Sequence, residues 1–103
     1  MDTLKNNFDS LEQLIYSGGI KIKAVDIHID MDILLIILST GFVLKEKLSK
    51  YFQLNHVTNK QLLNFQLIGN GAGIHWPDLD EDLSLKGFLR DNIKSLVMGD
   101  KVA

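Results

Sequence analysis

The sequence predicts a small α+β domain in which an antiparallel meander of three strands and a second β-hairpin pack with a C-terminal amphipathic helix. Three observations predict it. Residues 20–48 alternate β-branched and polar side chains and are broken twice by turn residues. Asn70-Gly71 stands between two short apolar alternations, and that dipeptide supplies the positive φ angles of a type I′ turn at low steric cost. Residues 84–98 carry Leu85, Phe88, Leu89, Ile93, Leu96 and Val97 at helical spacing, followed by Gly99.

A chain of 103 residues fits one domain, 1–103, that buries about 65% of its unfolded surface without covalent staples. Its parts read as an N-terminal helical extension over 1–19, a core over 20–98 and a frayed tail over 99–103. There is no cysteine, which suits a reducing compartment. The opening MDTLKNNFDS lacks a basic region followed by an apolar block, and the apolar run from Ile33 to Leu38 is too short to span a bilayer. The expectation is a soluble, cytoplasmic protein that does not enter a membrane. Eleven Lys and Arg against 13 Asp and Glu give a net charge of −2. The single arginine is Arg90, so no basic field draws nucleic acid to this chain alone.

In chain order, Leu4, Phe8, Leu11, Leu14 and Ile15 give residues 2–17 a helical stripe that ends at Ser17-Gly18-Gly19. Strands follow over about 20–30, 33–39 and 42–48. A turn at Met31-Asp32 places Val25, Ile27 and Ile29 on one face, and the loop Ser39-Thr40-Gly41 sets Leu38, Ile36 and Leu34 opposite Phe42, Leu44 and Glu46. One sheet face is then apolar except at Glu46. The other carries Leu35, Ile37 and Val43 beside Asp26, His28 and Lys45, and it needs a cover: the N-terminal helix, a second copy of the chain or another protein. Residues 49–54 read as a turn or short helical connection, with Tyr51, Phe52 and Leu54 against the core edge. Thr58 is an N-cap for a short helix over 58–64. In the hairpin, Gln66 faces His75, Leu67 faces Ile74 and Phe65 faces Trp76. The predicted core therefore includes Phe65, Leu67, Ile74, Trp76 and Phe88.

Each chemical motif competes with a structural explanation. Gly69-x-Gly71-x-Gly73 follows a strand, but its third glycine comes one residue early for a dinucleotide loop and Ile-His-Trp-Pro follows instead of a helix. Asp78, Asp80 and Asp82 imitate the start of a calcium loop, yet Leu83 and Leu89 stand where glycine and glutamate are required. Placed just before Ser84, these carboxylates are better explained as partners of a helix N-terminus. His75 has no second histidine or nucleophile at a catalytic spacing, and no serine lies in a nucleophile elbow. No catalytic set, metal set or cofactor motif emerges.

The run from Asp30 through ILLIILSTG, LSKYFQL and LLNFQLIGNGAGIHWPDLDEDLSLKGFL resembles the bacterial family called domain of unknown function 2442, over residues 30–89. Members end in a tryptophan-bearing motif very close to the one here. The resemblance implies a small α+β domain, often encoded beside a protein of the domain of unknown function 4160 type, in pairs proposed as toxin and antitoxin. It carries over no catalytic residue. The chain departs from the family in having Leu35 and Ile37 where the second strand is usually polar and Glu46 where the third is usually apolar. It also has Lys47, Lys50 and Phe52 in place of proline and tryptophan types.

The expected function is thus a non-enzymatic protein-binding module, the antitoxin-like partner of a small neighbouring protein. Its interface is expected at Leu35, Ile37 and Val43, with Asp78, Asp80, Glu81 and Asp82 as an acidic complement. A second copy of the chain on the same face is the alternative occupant. Two other readings compete: a small-ligand or enzymatic site using His75 and residues 78–82, and a DNA-associated regulator. The last is weakened because the chain stops before a helix-turn-helix of the kind some relatives add.

Overall fold

Alternating β-branched residues do form a meander. In a computed structural model describing residues 19–98, β1 (Ile22–His28), β2 (Ile33–Leu38) and β3 (Val43–Lys47) build an antiparallel sheet in the order β1-β2-β3. The helix expected over 2–17 and the tail over 99–103 lie outside the described residues. Leu34 pairs with Glu46 and Ile36 with Leu44, in the expected register. The first turn is longer than predicted. A 3₁₀ turn over Ile29–Met31 closes through Asp32 at φ 59°, so Ile33 pairs with His28 instead of Asp30. Because that slip is an even number of residues, Val25 and Ile27 keep their face. Asp32 holds the left-handed conformation while its carboxylate accepts from Ser49 N at 2.8 Å and Ser49 Oγ at 2.6 Å.

The second hairpin joins β4 (Gln66–Ile68) to β5 (Gly73–Trp76) with Gln66 opposite His75, Leu67 opposite Ile74 and Ile68 opposite Gly73, as predicted. Its tip places three successive residues at positive φ: Gly69 at 61°, Asn70 at 57° and Gly71 at 89°. Gly71 is also where the two sheets meet. Its carbonyl accepts from Ile22 N at 2.8 Å, and a Cβ there would lie 2.8 Å from Ile22 O, so only glycine fits without a shift.

A sixth strand, β6 (Glu81–Ser84), was not predicted. It pairs with β5, setting His75 opposite Asp82 and Trp76 opposite Glu81, and completes a second sheet in the order β4-β5-β6. The acidic run is therefore strand and turn, which corrects its assignment to a helix N-terminus. That terminus is satisfied by Ser84, whose Oγ accepts from Gly87 N at 3.0 Å. Asp and Glu are poor strand formers, and they hid an alternation in which Glu81 and Leu83 turn inward while Asp82 and Ser84 face out.

Two helices complete the fold. In α1 (Asn59–Leu63), Thr58 and Gln61 form a capping box. The longer α2 (Leu85–Met98) brings Leu85 and Phe88 into a core shared with Leu34, Ile36, Leu44, Leu62, Ile74 and Trp76. Trp76 is fully buried, its indole N–H donates to Leu62 O at 2.8 Å, and its ring lies 6.2 Å from that of half-buried Phe65. Two expectations fail here. Leu67 is 38% exposed, because its three-residue edge strand is open along its whole length. Phe52 is 80% exposed: two consecutive 3₁₀ turns, Leu48–Lys50 and Phe52–Leu54, bury Leu48 and Leu54 and turn Phe52 outward.

Candidate functional site

The outer face of the first sheet follows from its registers. Across the three strands Ala24, Ile37 and Val43 form one row, and Asp26, Leu35 and Lys45 the next; His28, Ile33 and Lys47 form the third. Its central strand is wholly apolar, β1 contributes Asp26 and His28 to one margin, and β3 contributes Lys45 and Lys47 to the other. Leu35 and Ile37 are half-buried, whereas Val43 is 46% exposed and neighbouring Phe42 is 65% exposed. The three predicted apolar interface residues therefore do share a surface.

Behind that face, Glu46 breaks the apolar pattern of β3. Its side chain is only 6% exposed, and its carboxylate is fully engaged. Oε1 accepts from Lys50 Nζ at 2.9 Å and from Tyr51 OH at 3.2 Å, while Oε2 accepts from Asn92 Nδ2 at 2.9 Å. Lys50 also reaches Asp91 at 2.8 Å. Burial works against the Lys50 charge, but the Asp91 and Glu46 carboxylates outweigh it and hold the ammonium above its ordinary range. Burial, and then the Glu46 charge, pushes the Tyr51 phenol up. Lys50 is thereby held in its charged form and Tyr51 in its neutral form. The cluster clasps α2 to β3 beside a cavity of about 340 Å³ lined by Lys45, Glu46, Lys47, Lys50, Asp91 and Asn92.

The acidic residues belong to the other sheet and do not join the apolar stripe on one strand face. Asp78 accepts from Asn64 Nδ2 at 3.0 Å. Asp80 sits at φ 50° in the β5–β6 turn. Glu81 is half-buried opposite Trp76, and exposed Asp82 pairs with the His75 ring across the strands. The His75–Asp82 contact is a cross-strand pair, with Gln66 on the other side of His75. Among the described residues no three His, Asp or Glu side chains are placed to hold a metal ion.

The family described as protein of unknown function DUF2442 matches residues 22–94. The chain belongs to this family. No curated protein matches the sequence. Two solved structures are similar in fold, and both come from uncharacterised proteins. One from Rhodospirillum rubrum is 24% identical with a TM-score of 0.63, covering 70% of this chain and 87% of its own. One from Chromobacterium violaceum is 21% identical with a TM-score of 0.63, covering 100% of this chain and 96% of its own.

Within this DUF2442 chain, the expected anomalies at Leu35, Ile37 and Glu46 fall on the two faces of one sheet. Sequence reasoning singled out Glu46 but missed its partners. Lys50 lies four residues on, a spacing readable as an ion pair, but Asn92 is 46 residues away, and no local pattern links it to β3.

Proposed function

We propose that this protein is a non-enzymatic, cytoplasmic binding module that docks a small protein partner on the outer face of its first sheet. The observation that carries the reading is the apolar β2 stripe of Ile33, Leu35 and Ile37 opening onto exposed Val43 and Phe42 between charged margins. A stable interface needs only about 800 Å² per partner, with an apolar centre and a polar rim, and this face has that arrangement. The engagement of buried Glu46 by Lys50, Tyr51 and Asn92 supports a structural role for this charge cluster. The partner is assigned by the family resemblance: a domain of unknown function 4160 type protein, which this chain would neutralise as an antitoxin does. Asp78, Asp80, Glu81 and Asp82 would add complementarity to a basic surface, affecting association rate more than affinity.

Expression of the adjacent gene alone and together with this chain, scoring growth and co-purification, tests the assignment. Growth inhibition relieved by the chain is expected. A harmless neighbour that forms no complex contradicts it.

A further inference from the structure

The free margin of β3 extends the partner-binding reading, on which this inference rests. Leu38 N donates to Phe42 O at 2.9 Å and Leu48 N to Asp32 O at 3.3 Å. Antiparallel alternation between those two bonds turns the backbone groups of Leu44 and Glu46 toward β2. It leaves the N–H and C=O groups of Val43, Lys45 and Lys47 on the outer edge. Among the described residues β3 pairs with β2 alone, and these same three residues are exposed. Between β3 and the part of α2 that carries Asp91 and Asn92 lies the cavity lined by Lys45, Glu46, Lys47 and Lys50. An edge strand with unpaired amides is a template for another strand.

We infer that β3 accepts an extended, acidic segment of a partner protein by strand addition. Charge decides the occupant. Lys45 and Lys47 alternate along the edge; Lys47 acts on Asp32 only through its charge, whereas Lys50 is held in direct ion pairs by Glu46 and Asp91. Two copies of β3 set edge to edge would bring Lys45 and Lys47 of both chains together, which disfavours self-pairing. A segment carrying carboxylates at alternate positions would place them beside Lys45 and Lys47. Its intervening side chains would point toward the cavity, where Asp91 and Asn92 suit small uncharged polar groups.

Amide NMR of the full chain tests this with synthetic peptides alternating threonine and glutamate, against the same peptides with lysine for glutamate. The acidic peptide should shift and slow the exchange of the Val43, Lys45 and Lys47 amides, and N-methylation of its alternate amides should abolish binding. Lys45→Glu with Lys47→Glu should weaken it about tenfold at low salt, and this surface variant keeps the β2–β3 ladder. Equal binding of both peptides, no binding, or shifts centred on Leu35 and Ile37 would overturn the inference. So would exchange at these three amides already slowed in the free protein by a second copy. If the edge fails while the adjacent-gene product still co-purifies, strand addition is wrong and the binding reading stands; loss of both removes the binding reading as well.

Discussion

Glu46 is the residue at which sequence and structure have most to say to each other. A carboxylate on the core side of a strand is costly unless every oxygen is engaged, and here Lys50, Tyr51 and Asn92 engage both. Removing the lysine alone should leave Glu46 buried without its counter-charge. Lys50→Met should therefore cost about 1–3 kcal/mol, reduced from a fully buried pair because Lys50 is 43% exposed. Adding Glu46→Leu should recover most of that loss, and urea unfolding of the four proteins in the cycle measures it. Trp76 tests the opposite end of the core. Trp76→Ala should cost about 3–5 kcal/mol, and a thermal midpoint unchanged by this substitution would contradict its burial.

Asp32 gives a prediction in pH. The Ser49 hydroxyl, and less so its backbone amide, holds the Asp32 carboxyl below its ordinary value of 3.8. A depressed folded-state value means the contribution is complete above the unfolded value and is lost as pH falls through the folded one. Ser49→Ala should flatten stability on the acid side of about 4 and leave the neutral-to-alkaline limb parallel to the parent, as read from denaturation midpoints across pH.

At the scale of elements, the glycine at the hairpin tip joins two sheets that the sequence presents as separate units. Gly71→Ala combines a φ of 89° with a Cβ 2.8 Å from Ile22 O and should cost roughly 1–3 kcal/mol. Gly41 has a similar φ of 91° with no atom within 4 Å, so Gly41→Ala should cost less, and the order of the two unfolding midpoints checks the account. The hairpin was legible because Asn-Gly fixes a turn type and the turn type fixes register. The meander was legible because Leu34, Ile36 and Leu38 can share a face with Leu44 in few ways. β6 was not, since its alternation is written in aspartate and glutamate, whose usual places are turns and helix starts. Leu67 was misplaced for a different reason: alternation names a face, but not whether anything packs on that face at the sheet's margin.

For the whole molecule, two three-stranded sheets and α2 enclose one core, and among the described residues the first sheet carries an apolar outer stripe and a third strand that pairs with β2 alone. Among the described residues no helix is long and apolar enough to cross a membrane. The candidate site was half legible: Leu35, Ile37 and Val43 were named from alternation and do share a surface, whereas the acidic residues proved to belong to a strand and turn of the other sheet. A meander already puts its third strand at an edge, but the cavity that α2 leaves beside that strand could not be read from sequence, because the packing of a helix far along the chain has no local pattern.

The most direct measurement is isolation of the untagged chain from its native host, in parallel with Leu35→Lys plus Ile37→Lys, with mass spectrometry of what accompanies each. Two charges on a central stripe should remove a bound partner while leaving the fold intact by amide NMR. One stoichiometric small-protein partner is expected with the parent chain and none with the folded double variant. A parent chain that elutes alone, or a partner retained equally by both, would contradict the binding reading.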